Sequence, residues 1–242
     1  MVNKNNLFGN IAEMAGESTS RELDYLFSEG RTTQFNVGDS IITEGEPTTY
    51  VYDVLSGTIA LSRNGSDGRR QIMDFLGARQ FLGASSTASY SNLAVALTQV
   101  VAIKYPRAAF DNALNTTPEF AANYRQVLIR IVEMTHDHIY TIGQRTSTER
   151  IASFLLYLRA HQARFSTDGP RDTSPHIELP MTRLDIADFL GLTTETVSRS
   201  FSILKEKQVI AFDDAFSCDI LDINQIRKMG GREDFTDRRG QA

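Results

Sequence analysis

The period of the apolar positions changes along the chain, and each change marks an expected element. Residues 18–29 place Leu23, Leu26 and Phe27 on one face, with Ser20 set as an N-cap, which predicts a short amphipathic helix. Residues 33–104 then carry short β-prone pieces at 33–37, 50–55, 58–61, 71–76 and 99–104. Gly38, Gly45, Gly57, Gly65, Gly68, Gly77 and Gly83 punctuate them. Strands with turn signals at intervals of about ten residues predict an antiparallel roll or barrel. Asn64-Gly65-Ser66-Asp67-Gly68 is the clearest hairpin tip.

Pro106 suits the first turn of a helix running to about residue 114, and Pro118 opens a far longer one, to about residue 144. Within it Phe120, Tyr124, Val127, Ile131 and Met134 alternate spacings of four and three, with His138 next in the series, which is a heptad seam. Leu128, Val132 and Ile139 widen the stripe. One side is therefore expected to meet the same helix of a second copy, and the other to rest on the roll. The alternative is a core helix of a monomer. A small roll covers a helix of this length poorly, which favours the dimer.

Residues 148–162 read as a helix with Ile151, Phe154, Leu155 and Leu158 inward. Residues 166–176 hold Gly, Pro, Asp and Ser and read as a surface loop. The polar tail from residue 230 is expected to fray. Between these lies the most informative stretch. Thr182 caps a helix over 182–190 with Asp185 in its first turn, Gly191 ends it, and Leu192 plugs the turn. Thr193 can cap a second helix over 194–208. Helix, tight glycine turn and helix make a helix-turn-helix. Residues 209–212 and 216–221, joined through Asp213-Asp214, read as a β-hairpin wing.

The second helix sorts by face. Val197, Phe201 and Leu204 point inward, while Glu195, Ser198, Arg199 and Ser202 share a polar face. Glu195, Ser198 and Arg199 are candidate base readers, since Arg pairs bidentately with guanine, Glu accepts from the cytosine amino group, and Ser contacts bases or phosphate. Thr182, Arg183, Thr193, Thr194, Thr196, Ser202 and Lys205 are candidates for backbone contact or support. The plainer alternative makes Glu195 a residue matched to the helix dipole and Arg199 part of a solvated face. The pattern alone leaves both open.

Composition bounds these readings. The 242 residues suffice for two modest domains. A net charge of −5 argues against a nucleic-acid partner, but its distribution softens the objection. Residues 1–144 hold 11 basic and 15 acidic side chains, and residues 145–242 hold 14 and 15. No apolar run approaches the ~20 residues of a membrane span, and residues 1–16 lack the pattern of a signal peptide. With a single cysteine, Cys218, a cytoplasmic location is expected, with no membrane partner. The expected division is an N-terminal segment (1–17), a sensor-like roll (18–116), a dimerisation helix (117–145), a winged helix-turn-helix domain (146–230) and a tail (231–242).

The stretch from Leu179 through Gly191 to Arg199 resembles the DNA-binding signature of the CRP/FNR family of transcription regulators, in its FNR/FixK branch. Glu149-Arg150-Ile151-Ala152-Ser153-Phe154-Leu155 resembles the family's first DNA-domain helix, and Ser56-Gly57-Thr58-Ile59 with Arg70-Gln71-Ile72 resembles its β-roll. The resemblance implies an α+β chain: an antiparallel roll of the cyclic-nucleotide-binding kind, a long dimerisation helix and a C-terminal winged helix-turn-helix. It implies a homodimeric activator on double-stranded DNA with half-sites like TTGAT and ATCAA, read by Glu195, Ser198 and Arg199, and RNA polymerase as a partner.

The sensor half departs from the cyclic-nucleotide-binding pattern. Ala84 stands where such relatives carry the ribose-binding Glu, and Asn92-Leu93 where they carry the phosphate-binding Arg-Ser. Losing the cation opposite a buried phosphate removes the strongest interaction of such a site, so cyclic AMP is not expected. One cysteine cannot hold an oxygen-sensing iron–sulfur cluster, and His136, His138, His161 and His176 all lie outside the roll, which leaves haem without an axial ligand. No other metal is expected. A cupin-like metal oxygenase needs clustered His and carboxylates, and no phosphate loop or nucleophile elbow appears, so an enzyme is not expected either. Cys218 is a candidate oxidation switch, against the plainer reading of a half-buried strand residue. A small molecule gating the roll, or a ligand-sensing and protein-interaction module, remain the alternatives to a cofactor-independent regulator.

Overall fold

The computed structural model of the chain describes residues 7–8, 21–165, 174–212 and 214–231. The Ser20 cap, most of the expected N-terminal segment, Asp213 and the tail beyond Gly231 lie outside the described residues, as does most of the expected 166–176 loop. The chain divides into two compact units, Met1–Thr135 and His136–Ala242.

The first unit opens with helix α1 (Arg21–Glu29), which buries Leu23 and Leu26. Eight strands follow: β1 (Arg31–Phe35), β2 (Ser40–Ile42), β3 (Tyr50–Ser56), β4 (Ile59–Asn64), β5 (Arg70–Leu76), β6 (Phe81–Leu82), β7 (Leu93–Ala96) and β8 (Val100–Pro106). They form two four-stranded antiparallel sheets, ordered β1-β8-β3-β6 and β2-β7-β4-β5. Strands β2, β6 and β7 were not foreseen, because two to four residues are too few to display a period of two. Gly57 (φ 93°) turns β3 into β4 against the backbone of Gln99 and Val100, leaving no room for a Cβ. Pro106 corrects the expected helix start. It ends β8 opposite Tyr50 with an extended ψ of 131°, so helix α2 begins one residue later (Arg107–Thr116).

The core has two parts. Ile42, Val54, Ile59, Leu82, Ala94 and Val100 belong to one cluster. In the other, Phe8, Phe81, Tyr105, Phe110, Phe120 and Tyr124 gather around the ends of β6 and β8 and the first turns of helix α3 (Pro118–Gln144). This cluster overturns the first part of the heptad seam. Phe120 and Tyr124 are 0% and 7% exposed, and Val127 packs against the same cluster, so these three rest on the roll and are not offered to a partner. Beyond them Leu128, Ile131, Val132 and Ile139 stay exposed, and Met134 is half-buried. A four-and-three spacing specifies a stripe but not what covers it.

The second unit contains helices α4 (Ser147–Phe165), α5 (Arg183–Leu190), α6 (Thr194–Glu206) and α7 (Ile223–Gly230). Its sheet, ordered β10-β11-β9, comprises β9 (His176–Glu178), β10 (Ile210–Ala211) and β11 (Ser217–Ile220). His176 is therefore a strand residue rather than the end of a loop, with Nδ1 2.9 Å from the Asp219 carboxylate across the ladder. His138, the last member of the expected seam, instead stacks on Phe189, ring centroids 4.1 Å apart. Burial holds its imidazole below the ordinary histidine range, partly offset by the backbone of Phe189.

Candidate nucleic-acid interface

Local chemistry sets the two helices of the motif. Thr182 accepts from the Asp185 N–H at 3.1 Å, and the Asp185 carboxylate accepts from the Thr182 N–H at 2.9 Å, a reciprocal cap at the start of α5. At the other end Gly191 (φ 62°) and Leu192 both donate their N–H groups to the Ala187 carbonyl. Thr193 then caps α6 by accepting from the Thr196 N–H at 3.2 Å.

Helix α6 presents two faces. Val197, Ser200, Phe201 and Leu204 are buried and lock it to the unit's core. Glu195, Ser198, Arg199, Ser202 and Lys205 are all exposed, and Thr194 and Thr196 are half-exposed. The structure thus brings the candidate base readers onto one open helical face, with Ser202 donating to the Ser198 carbonyl at 3.1 Å. The Glu195 carboxyl sits below the ordinary glutamate range, held there first by its own backbone N–H, then by the Thr193 hydroxyl and the charge of Arg199. It is an ionised acceptor at neutral pH. Open donors and acceptors of both signs on one turn of helix are what reading base edges in a major groove requires.

Two further candidates lie away from the open face of α6. The Arg183 guanidinium lies 3.8 Å over the Phe201 ring and 5.1 Å from that of Phe212, and burial lowers its pKa. These contacts fit the supporting role, joining α5 to α6 and to the residue after β10. Cys218 is fully buried in β11, and burial pushes its thiol up to about 12, with Arg183 opposing. Oxidation proceeds through the thiolate, so the candidate switch lacks both access and the reactive form.

Sequence reasoning missed Arg150. This residue of the first turn of α4 donates from Nε to the Arg145 carbonyl at 3.0 Å and from Nη1 to the Leu190 carbonyl at 3.0 Å. A cation in the first turn of a helix opposes the helix dipole, and that misfit was the available signal. The described residues contain no group of three or more His, Cys, Asp or Glu able to hold a metal, and no helix long and apolar enough to cross a membrane.

Two sequence profiles match the chain: a Crp-like helix-turn-helix domain over residues 149–229, and a cyclic nucleotide-binding domain over residues 32–117. The nitrogen fixation regulation protein FixK of Bradyrhizobium diazoefficiens is 36% identical over 191 residues, covering 79% of this chain and 77% of that protein. The transcriptional activatory protein AadR of Rhodopseudomonas palustris is 34% identical, covering 71% and 70%. Among solved structures, FixK2 from Bradyrhizobium japonicum superposes with a TM-score of 0.74 at 28% identity, over 83% of this chain and 96% of that one.

Proposed function

The chain belongs to the CRP/FNR family of transcription regulators, which are DNA-binding proteins and not enzymes, and on that premise we propose that it activates transcription as a homodimer bound to a two-fold symmetric DNA site. The observation that carries this reading is the open face of α6, with Glu195, Ser198 and Arg199 exposed above a buried Val197, Phe201 and Leu204. Each copy sets these three against one half-site of the TTGAT/ATCAA type, Arg199 on guanine and Glu195 on a cytosine amino group, while hydroxyls and Lys205 hold phosphates.

Two copies meet along α3 through Leu128, Ile131, Val132 and Ile139, which are exposed in the single chain. The pairing puts the recognition helices about 34 Å apart, one turn of the duplex. The protein acts in the cytoplasm, with RNA polymerase as its partner on the promoter.

No cyclic nucleotide, haem or iron–sulfur cluster is needed. In support, Ala84 and Asn92-Leu93 supply neither acid nor cation. The segment after β6 is also drawn onto β3. The Tyr90 hydroxyl donates to the Tyr50 carbonyl at 2.8 Å and accepts from its N–H at 3.1 Å, while Gly83 approaches that carbonyl too closely for a Cβ.

Gel shifts with the palindrome and a scrambled duplex test the reading, on protein whose optical and mass spectra show no bound cofactor. Strong preference for the palindrome supports it. A folded protein that binds both alike refutes it.

A further inference from the structure

Helix α5 ends with no basic residue in its own last turn, so no side chain of that turn offsets the negative end of its dipole. Arg150 does so from α4. Its Nη1 donates to the carbonyls of Leu190 at 3.0 Å and Gly191 at 3.5 Å, the last residue of α5 and the turn that follows. Its Nε donates at 3.0 Å to the carbonyl of Arg145, the residue directly after α3 ends. One half-buried guanidinium therefore joins the end of the long helix to the turn that launches α6, three residues before Thr194. The planar fork sends its donors in two fixed directions, which a lysine ammonium on a flexible stem does not.

A second contact acts between the same elements. His138 in the last part of α3 stacks on Phe189 near the end of α5, with the ring planes 21° apart. The stack holds α5 sideways against α3, and Arg150 fixes the end of α5 along its axis.

We propose that Arg150 is a positioning residue for DNA recognition: it sets the angle at which α6 leaves the end of α3, without touching DNA itself. This rests on the DNA-reading proposal above. In a dimer, two recognition helices reach two half-sites only if each leaves its long helix at a defined angle. Slack at Arg150 therefore appears as loss of half-site geometry rather than loss of phosphate binding.

The test measures binding by fluorescence anisotropy for wild type, Arg150→Gln and Arg150→Lys. The duplexes are the palindrome, the same half-sites with one base pair added or removed between them, and a scrambled sequence. Arg150→Gln is expected to weaken binding to the native spacing by about tenfold or more, as befits a lost charged hydrogen-bond pair. It should leave scrambled DNA bound as before and narrow the gap between native and altered spacings. Arg150→Lys should show the same change to a smaller degree, and it carries the test should Arg150→Gln fail to fold. Spacing preference unchanged in the folded variant, or an equal loss on every duplex, overturns the inference while leaving the DNA-reading proposal standing. Wild type that treats palindrome and scrambled DNA alike overturns both.

Discussion

The carboxylate of Asp53, fully buried in β3, accepts the backbone N–H of Phe8 at 2.8 Å across 45 positions of sequence. It also accepts the N–H of Leu7 at 3.2 Å. The Phe8 ring, itself 0% exposed, sits 5.0 Å from Phe110, 5.6 Å from Tyr105 and 6.3 Å from Phe120. A polar tether and an aromatic plug thus anchor Leu7 and Phe8 where the long helix starts.

The tether titrates. Burial raises the Asp53 carboxyl from the ordinary range to about 7, against the lowering effect of the Phe8 and Leu7 amides. A carboxyl raised on folding contributes stability that is full below its unfolded value near 4 and is lost as pH climbs through about 7. Asp53→Asn keeps one amide acceptor and cannot titrate. Its urea midpoint should therefore gain on that of wild type between about pH 4 and about pH 7. A gap constant over that range would show that Asp53 does not carry the linkage.

Arg199→Ala should cost about 1–3 kcal/mol of discrimination at the base it reads, roughly fivefold to 150-fold, with the fold intact because the side chain is exposed. Binding isotherms on the cognate site and on single-base variants measure it. Identical preferences in mutant and wild type would remove Arg199 from the reading set.

Val132→Glu and Phe120→Ala should separate two roles on one helix. Val132 is 51% exposed, so the charge should leave each chain folded and yield monomers in sedimentation. Phe120 lies in the core, and its truncation should instead cost about 3–5 kcal/mol of folding stability. A dimer undisturbed by Val132→Glu would place the interface elsewhere.

Cys218→Ser tests the buried thiol. Wild-type affinity for DNA should be the same before and after mild peroxide, since the Sγ lies inside β11 with its thiolate suppressed. Affinity that falls with peroxide in wild type but not in Cys218→Ser would restore the switch.

Sequence by itself determined what is encoded within a few residues. Thr182 and Asp185, Gly191, and Thr193 with Thr196 form caps and a turn that close through contacts at most a few positions apart. The inward Val197, Phe201 and Leu204 and the outward Glu195, Ser198 and Arg199 follow from helical period alone. The long strands announced themselves likewise, whereas β2, β6 and β7 exist because longer neighbours hold them. Tertiary structure decided which part of the α3 stripe is core, that Arg183 lies on Phe201, that Arg150 spans two helix ends, and that Asp53 meets Phe8. Each of these partners is distant along the chain, and a contact of that kind leaves no period or spacing to read: it exists only once packing has chosen which surfaces meet.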